Sequence, residues 1–139
     1  MNPELKHQTR KILEIIIKKS YYINKRYNHH STFTLLYHEK PLTLKELGSF
    51  VRVNDHFLQI DEHYYFINFL YVTEEEAFKA SQNLLHKLDK YFENQSSVIA
   101  IDGFDTIKTP ISVYNRLFDI VNILKKDSSY NRIEDESVL

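Results

Sequence analysis

Arg52-Val53-Asn54-Asp55, followed closely by Ile60-Asp61-Glu62-His63-Tyr64-Tyr65-Phe66-Ile67-Asn68-Phe69-Leu70, is the stretch whose reading decides the fold. His56 to Ile60 and Tyr64 to Tyr71 are dense in aromatic and branched residues and stand a few residues apart, which predicts two strands joined as a hairpin. In the second, Tyr65, Ile67 and Phe69 face one way, and Phe66 and Leu70 the other. Apolar residues on both faces predict a central strand.

Upstream, Leu42 to Leu47 opens a short helix with Leu44, Leu47 and Val51 on one face and Thr43 placed to cap it, and this helix delivers the chain to Arg52 and Asp55. Before Pro41, Thr32 to His38 alternates apolar and polar residues, with Phe33, Leu35 and Tyr37 on one side, and reads as a strand. Pro3 to about Tyr27 repeats apolar residues at Leu5, Ile12, Leu13, Ile16 and Ile23, an amphipathic opening helix occupying residues 1–28. Ile15 and Ile17 widen its apolar stripe. Downstream, Thr73 caps a helix that begins with Glu74, Glu75 and Glu76, where acidic side chains favour the dipole, and runs to about Asn94. Ser97 to Ile101 is a short strand, Asp102-Gly103 a turn, and Ile111 to Lys125 a last helix. The polar segment 127–139 reads as a loose tail.

The 139 residues fit one domain, 1–139, large enough for a real core. Net charge is −1, which offers no broad field for nucleic acid or acidic membranes. With no cysteine, disulfides, thiolate catalysis and thiolate zinc sites are excluded. No apolar run approaches a membrane span and the first residues lack the core of a secretory leader, so a soluble, cytoplasmic protein is expected. Only two glycines, Gly48 and Gly103, occur, far apart, so no glycine loop cradles a phosphate. No cofactor is implied.

The order of elements is helix, strand, helix, hairpin, helix, strand, helix. It predicts an α+β fold: a ferredoxin-like sheet of about four antiparallel strands, with the helices packed on one face and an N-terminal amphipathic helix in front.

In this order the chain resembles the GGDEF domains, a bacterial signalling family that makes cyclic di-GMP. Asn24-Lys25-Arg26-Tyr27 is similar to the basic segment before that family's first strand, and Phe50-Val51-Arg52-Val53-Asn54-Asp55 to its helix end and Arg-x-x-Asp element. Counting on without a gap, the GGDEF pentapeptide falls on Asp61-Glu62-His63-Tyr64-Tyr65. Phe66 to Leu70 and Thr73 to Ala77 match the strand and helix that follow. Phe118-Asp119, Lys126 and Asn131-Arg132 sit where the family closes with Ala-Asp, Lys and Asn-Arg.

The resemblance also implies what is altered. The two glycines that let nucleotide phosphates lie on the family's turn are replaced by Asp61 and Glu62, whose charges repel a triphosphate. The acidic metal position falls on Tyr64, a poor ligand for magnesium. The link from Tyr37 to Leu44 is too short for the helix that reads guanine. A degenerate, truncated domain without cyclase activity is therefore expected. Arg52 and Asp55 correspond to the family's inhibitory product site, where the arginine holds a phosphate and a guanine edge and the aspartate accepts from guanine, which implies a cyclic di-GMP receptor. Family receptors use a second arginine; here Lys79 or Lys87 is the available substitute.

Other readings stay open on the residues alone. An arginine at a helix end is favoured by the dipole, and Asp55 three residues on is placed to pair with it. The wide stripe of the opening helix suits a second copy or a protein partner. His56 and His63, read as cross-strand neighbours with Asp61 or Glu62 nearby, suggest a divalent ion, whereas adjacent His29 and His30 would point apart. Asp61, Glu62 and His63 also offer acid–base groups, but a solvated turn leaves carboxylates passive. Asp102 and Asp105 read as turn residues.

Overall fold

The computed structural model describes residues 6–28, 31–51, 55–103, 108–127 and 129–139. Its elements run α1 (His7–Tyr27), β1 (Ser31–Tyr37), α2 (Leu44–Phe50), β2 (His56–Gln59), β3 (Tyr64–Leu70), α3 (Glu74–Phe92), β4 (Val98–Asp102), α4 (Pro110–Lys126), β5 (Ile133–Glu134) and a final 3₁₀ turn (Glu136–Val138).

The strands form one sheet in the order β2-β3-β1-β4-β5. The first four pair antiparallel with β1 and β3 at the centre, which is the ferredoxin-like arrangement that the β-α-β-β-α-β order predicts. Both central strands are buried almost throughout, as strands covered on two faces must be. Tyr37 lies opposite both Tyr64 and Val98, while Phe33 lies opposite Asn68 and Asp102. The β2–β3 turn and the end of β1 thus share one end of the sheet, and the end of β4 lies at the other.

The helices are divided between the two faces, in contrast to the single face expected. Leu13 and Ile17 of α1 and Val113, Leu117, Phe118, Val121 and Leu124 of α4 pack on Phe33, Leu35, Tyr64 and Phe66. Leu47 of α2 and Ala77, Leu84, Leu85 and Leu88 of α3 pack on Leu36, Tyr65, Ile67, Phe69, Ile99 and Ile101. The cause is the double apolar face of β3 and its neighbours: one layer of helices would leave half of these side chains in water, at roughly 1.5–3 kcal/mol each.

Burial also re-sorts α1. Leu13, Ile17 and Ser20 point inward, with Ile16 partly buried, whereas Ile12 is 46% exposed. Ser20 replaces an apolar residue because it meets Asn68 of β3, whose Nδ2 donates to Ser20 Oγ at 2.8 Å. The capping expectations hold in full. Thr43 and Thr73 each accept from the backbone N–H three residues on, and Glu46 and Glu76 reach back to the cap N–H, completing two capping boxes.

The C-terminal segment is not loose. Residues Ile133 and Glu134 add to the sheet as a parallel edge strand beside Ile99 and Ala100. Arg132 fixes this edge by donating to both oxygens of Asp89 at 2.7 and 2.8 Å and to the Ser97 carbonyl at 2.9 Å. Among the described residues no helix is long and apolar enough to cross a membrane.

Candidate functional site

The β2–β3 turn is built by its own side chains. Asp61 Oδ1 accepts from the backbone N–H of His63 at 2.7 Å and of Tyr64 at 3.0 Å, closing an Asx turn without glycine. Glu62 is exposed, and its carbonyl lies 2.8 Å from the Tyr65 hydroxyl. That hydroxyl also accepts from Leu42 N at 2.9 Å and has the Leu42 carbonyl at 3.0 Å, so Tyr65 ties the turn to the β1–α2 connection. Burial raises its pKa.

Tyr64 points into the opposite core, its ring 4.8 Å from that of Phe118 and 5.3 Å from Tyr37. Lys125 caps this aromatic pair, donating to Tyr64 OH at 3.0 Å with its ammonium 4.0 Å over the Tyr37 ring. It is Lys125, and not Lys126, that reaches the turn. His63 Nδ1 is 3.1 Å from the His38 carbonyl, while the register puts His56 opposite Asn68 at the far end of the hairpin. The expected pairing of His56 with His63 is therefore overturned: the hairpin register separates them, and with it goes their shared metal site. His29, His30 and Asp105 lie outside the described residues. No helix intervenes between β1 and α2; residues 38–43 run irregularly from one to the other.

A second location is a cleft beside Asp55. Helix α2 stops at Phe50, with Val51 already extended. Phe50 is held against α3 by an edge contact with Tyr91, ring centres 5.4 Å apart. Gly48 leaves just enough room for Phe57 of β2, whose ring would lie 3.4 Å from a Cβ at that position. The chain then returns at Asp55, which is almost fully buried. Phe50, Val51, Asp55 and Phe69, with Ala80, Asn83, Leu84 and Lys87 from one face of α3, line a cleft of about 170 Å³. The α3 residues recur at i, i+3, i+4 and i+7, which is why they face the cleft together.

Of the expected pair, Asp55 is placed in this cleft and Arg52 lies outside the described residues. Lys87, one of the two lysines considered, lines the cleft and donates to the Phe50 carbonyl at 3.4 Å. The residue missed was Asn83, although its i, i+4 spacing to Lys87 on an amphipathic helix marks it as sharing a face. The cleft thus combines an apolar floor with a carboxylate, an amide and an ammonium.

Asp102 is also not a turn residue. It ends β4 fully buried, with Lys108 Nζ at 2.9 Å and Arg116 Nε at 3.7 Å from Oδ1. Burial raises its carboxyl pKa against the opposing pull of Lys108 and Arg116.

No protein-family model matches the sequence, and no curated protein is significantly similar to it. Among solved structures, the chain is similar to the GGDEF domain of DgcB from Caulobacter crescentus, crystallised in complex with c-di-GMP. The TM-score is 0.63 with 10% identity, and the match covers 92% of this chain and 90% of that one. The fold is thus GGDEF-like.

Proposed function

We propose that this chain is a non-catalytic GGDEF-like regulatory domain that binds cyclic di-GMP through Arg52 and Asp55. The observation that carries the proposal is the cleft that brings buried Asp55 together with Asn83 and Lys87 over Phe69. Asp55 supplies an acceptor for a guanine edge, Phe69 and Leu84 an apolar contact for the base, and Lys87 a positive charge for phosphate. Arg52 stands three residues before Asp55 in the segment that links two lining residues, Val51 and Asp55. At about 170 Å³ the cleft is smaller than the roughly 300–1,000 Å³ of enclosed small-molecule sites. It suits one base entering edge-on, with the rest of a dinucleotide lying outside. The similar DgcB domain was crystallised with c-di-GMP.

The absence of catalysis rests on the turn. Asp61 is spent on two backbone N–H groups, Tyr64 is packed in the core under Lys125, and Tyr65 is bonded to the connection from β1. Tyr64 and Tyr65 bring no carboxylate, and Asp61 Oδ1 is engaged by the backbone of its own turn. Titration calorimetry with cyclic di-GMP up to about 1 mM, where even −4 kcal/mol of binding registers, tests the receptor reading. Saturable heat lost in Arg52→Ala and Asp55→Asn is expected, and no heat in the wild type ends the proposal. Conversion of GTP with magnesium to any cyclic product would overturn its non-catalytic half.

A second reading, a dimerisation module that binds no nucleotide, is favoured by α1. Ile12, Ile15 and Tyr22 lie 46, 52 and 58% exposed along one side of that helix. A second copy packed there would appear as a dimer in light scattering, abolished by Ile15→Glu. A monomer at all concentrations discards it.

A further inference from the structure

We propose that the outer face of α1 is a docking surface for an anionic lipid bilayer, on which the domain lies peripherally. The net charge of −1 conceals a segregation: α1 carries six Lys or Arg and a single acidic residue, so its formal +5 is set against −6 on the rest of the chain. The one acid, Glu14, is paired with Arg10 at 3.2 Å. A field absent from the molecule as a whole is thus present along one helix.

Geometry decides which side of the helix carries it. Leu13 and Ile17 pack on the sheet and α4, and Ser20 is bonded to Asn68. On the opposite side Lys11, Ile15, Lys18, Tyr22 and Arg26 follow one another at steps of three or four residues, a single stripe about 22 Å long. All five are exposed, Ile15 by 52% and Tyr22 by 58%. Ile12 and Lys19, also exposed, lie beside the stripe. Cations and apolar side chains therefore alternate along one face. The apolar groups gain by leaving water, while the ammonium heads on their flexible stems reach the level of the lipid phosphates.

The same composition separates lipid from other occupants. A single-stranded nucleic acid needs free ring faces for its bases. Ile12 and Ile15 have none, and Arg26 lies over both Tyr22 and Tyr27, 5.9 and 5.6 Å from the ring centres, with a 2.7 Å bond to the Tyr22 hydroxyl. A second copy, the occupant in the dimer reading of this same side, is disfavoured by charge. Lys18 and Lys19 stand near the middle of α1, where a two-fold pair sets them against their own equivalents. An anionic bilayer meets both demands, with negative headgroups above an apolar interior and an interface that suits tyrosine.

The test is flotation of the whole chain with vesicles of phosphatidylcholine alone or with about 30% phosphatidylserine, at about 0.1 M and about 0.5 M salt. We expect binding to the anionic vesicles, at least about tenfold weaker binding to the neutral ones, and a marked loss at the higher salt. Lys18→Glu with Lys19→Glu should lower affinity at least about tenfold, and Ile15→Ser about threefold or more. Lys79 and Lys90 are exposed on α3, which packs on the other face of the sheet. Lys79→Glu with Lys90→Glu makes the same change in net charge there and should leave affinity within about twofold. No binding to anionic vesicles, equal binding to neutral ones, or an equal loss in the α3 pair overturns the proposal. So does a dimer in light scattering that Ile15→Glu abolishes, or capture by single-stranded poly(U) in place of vesicles. The wild-type arms decide the matter even where a variant fails to fold.

Discussion

Replacing Arg132 by alanine tests the least anticipated part of the fold, the C-terminal edge. The guanidinium makes two bonds to Asp89 and one to the Ser97 carbonyl, with the side chains of the ion pair 31 and 23% exposed. A pair this accessible is worth more than the 0.2–1 kcal/mol of an exposed pair and less than the 3–5 kcal/mol lost on breaking a buried one, so about 1–1.5 kcal/mol is assigned to it. The Ser97 bond adds about 1 kcal/mol. The expected loss is thus about 2–2.5 kcal/mol while β5 stays paired, or roughly 6–10 °C in thermal midpoint. Were β5 to detach, exposing Ile133 adds roughly 1.5–3 kcal/mol. Urea unfolding of the wild type, Arg132→Ala, Asp89→Ala and the double variant gives the loss and, through the cycle, a coupling of about 1–1.5 kcal/mol. Amide exchange at Ile99, which donates to the Arg132 carbonyl at 2.8 Å, reports separately on whether the edge opens. A loss under about 0.5 kcal/mol with Ile99 equally protected would refute the reasoning.

Three further outcomes follow from the core and the caps. His38 is fully buried, its Nε2 has no partner among the described residues, and burial lowers its pKa against the pull of Asp89 and Glu39. The unfolded chain therefore takes up the proton first: the contribution is intact above about pH 6.5 and lost as pH falls below it. Urea midpoints at pH 7.5 and 5.5 should drop less in His38→Gln than in the wild type; equal drops count against this. Tyr65→Phe should cost about 1–3 kcal/mol, because Leu42 N loses its acceptor in a buried place; a neutral change in chemical denaturation would contradict it. Thr73→Ala removes the cap that accepts from Glu76 N at 3.2 Å and should lower stability by about 1 kcal/mol; the thermal midpoint reads this directly, and no shift would mean that the box is idle.

What the sequence disclosed and what it hid have physical reasons. The central strands were legible because Tyr64 to Leu70 is apolar at every position but Asn68, and even that exception finds its partner, Ser20, on a helix. The helix starts were legible because a capping box is local. The side of α1 that faces the sheet was not, since Ile15, Ile16 and Ile17 are consecutive and only packing selects among them. β5 was hidden for the opposite reason. Two residues carry no periodicity, and the edge is set by Arg132 meeting Asp89, 43 residues away. Asp102 misled because Asp-Gly marks turns in general, whereas here the carboxylate is the last buried residue of a strand. At the candidate site, Asp55 and Lys87 were named on the family resemblance, and Asn83 was available from its place one turn before Lys87.

The proposed receptor site and the turn that replaces the catalytic pentapeptide are separable, which makes the functional proposal testable without damaging the fold. The turn depends on Asp61 and Tyr65, which bond backbone groups, so their substitution reads as stability. The cleft lies away from it, floored by Phe69 near the other end of β3. Lys87 is exposed, and its one bond among the described residues, to the Phe50 carbonyl, is long at 3.4 Å. Lys87→Glu should therefore change stability by less than about 0.5 kcal/mol. It reverses the charge that a phosphate would meet, so affinity for cyclic di-GMP should fall at least about tenfold, or 1.4 kcal/mol. Unchanged affinity in this folded variant would mean that any dinucleotide bound by the chain sits elsewhere than beside Asp55.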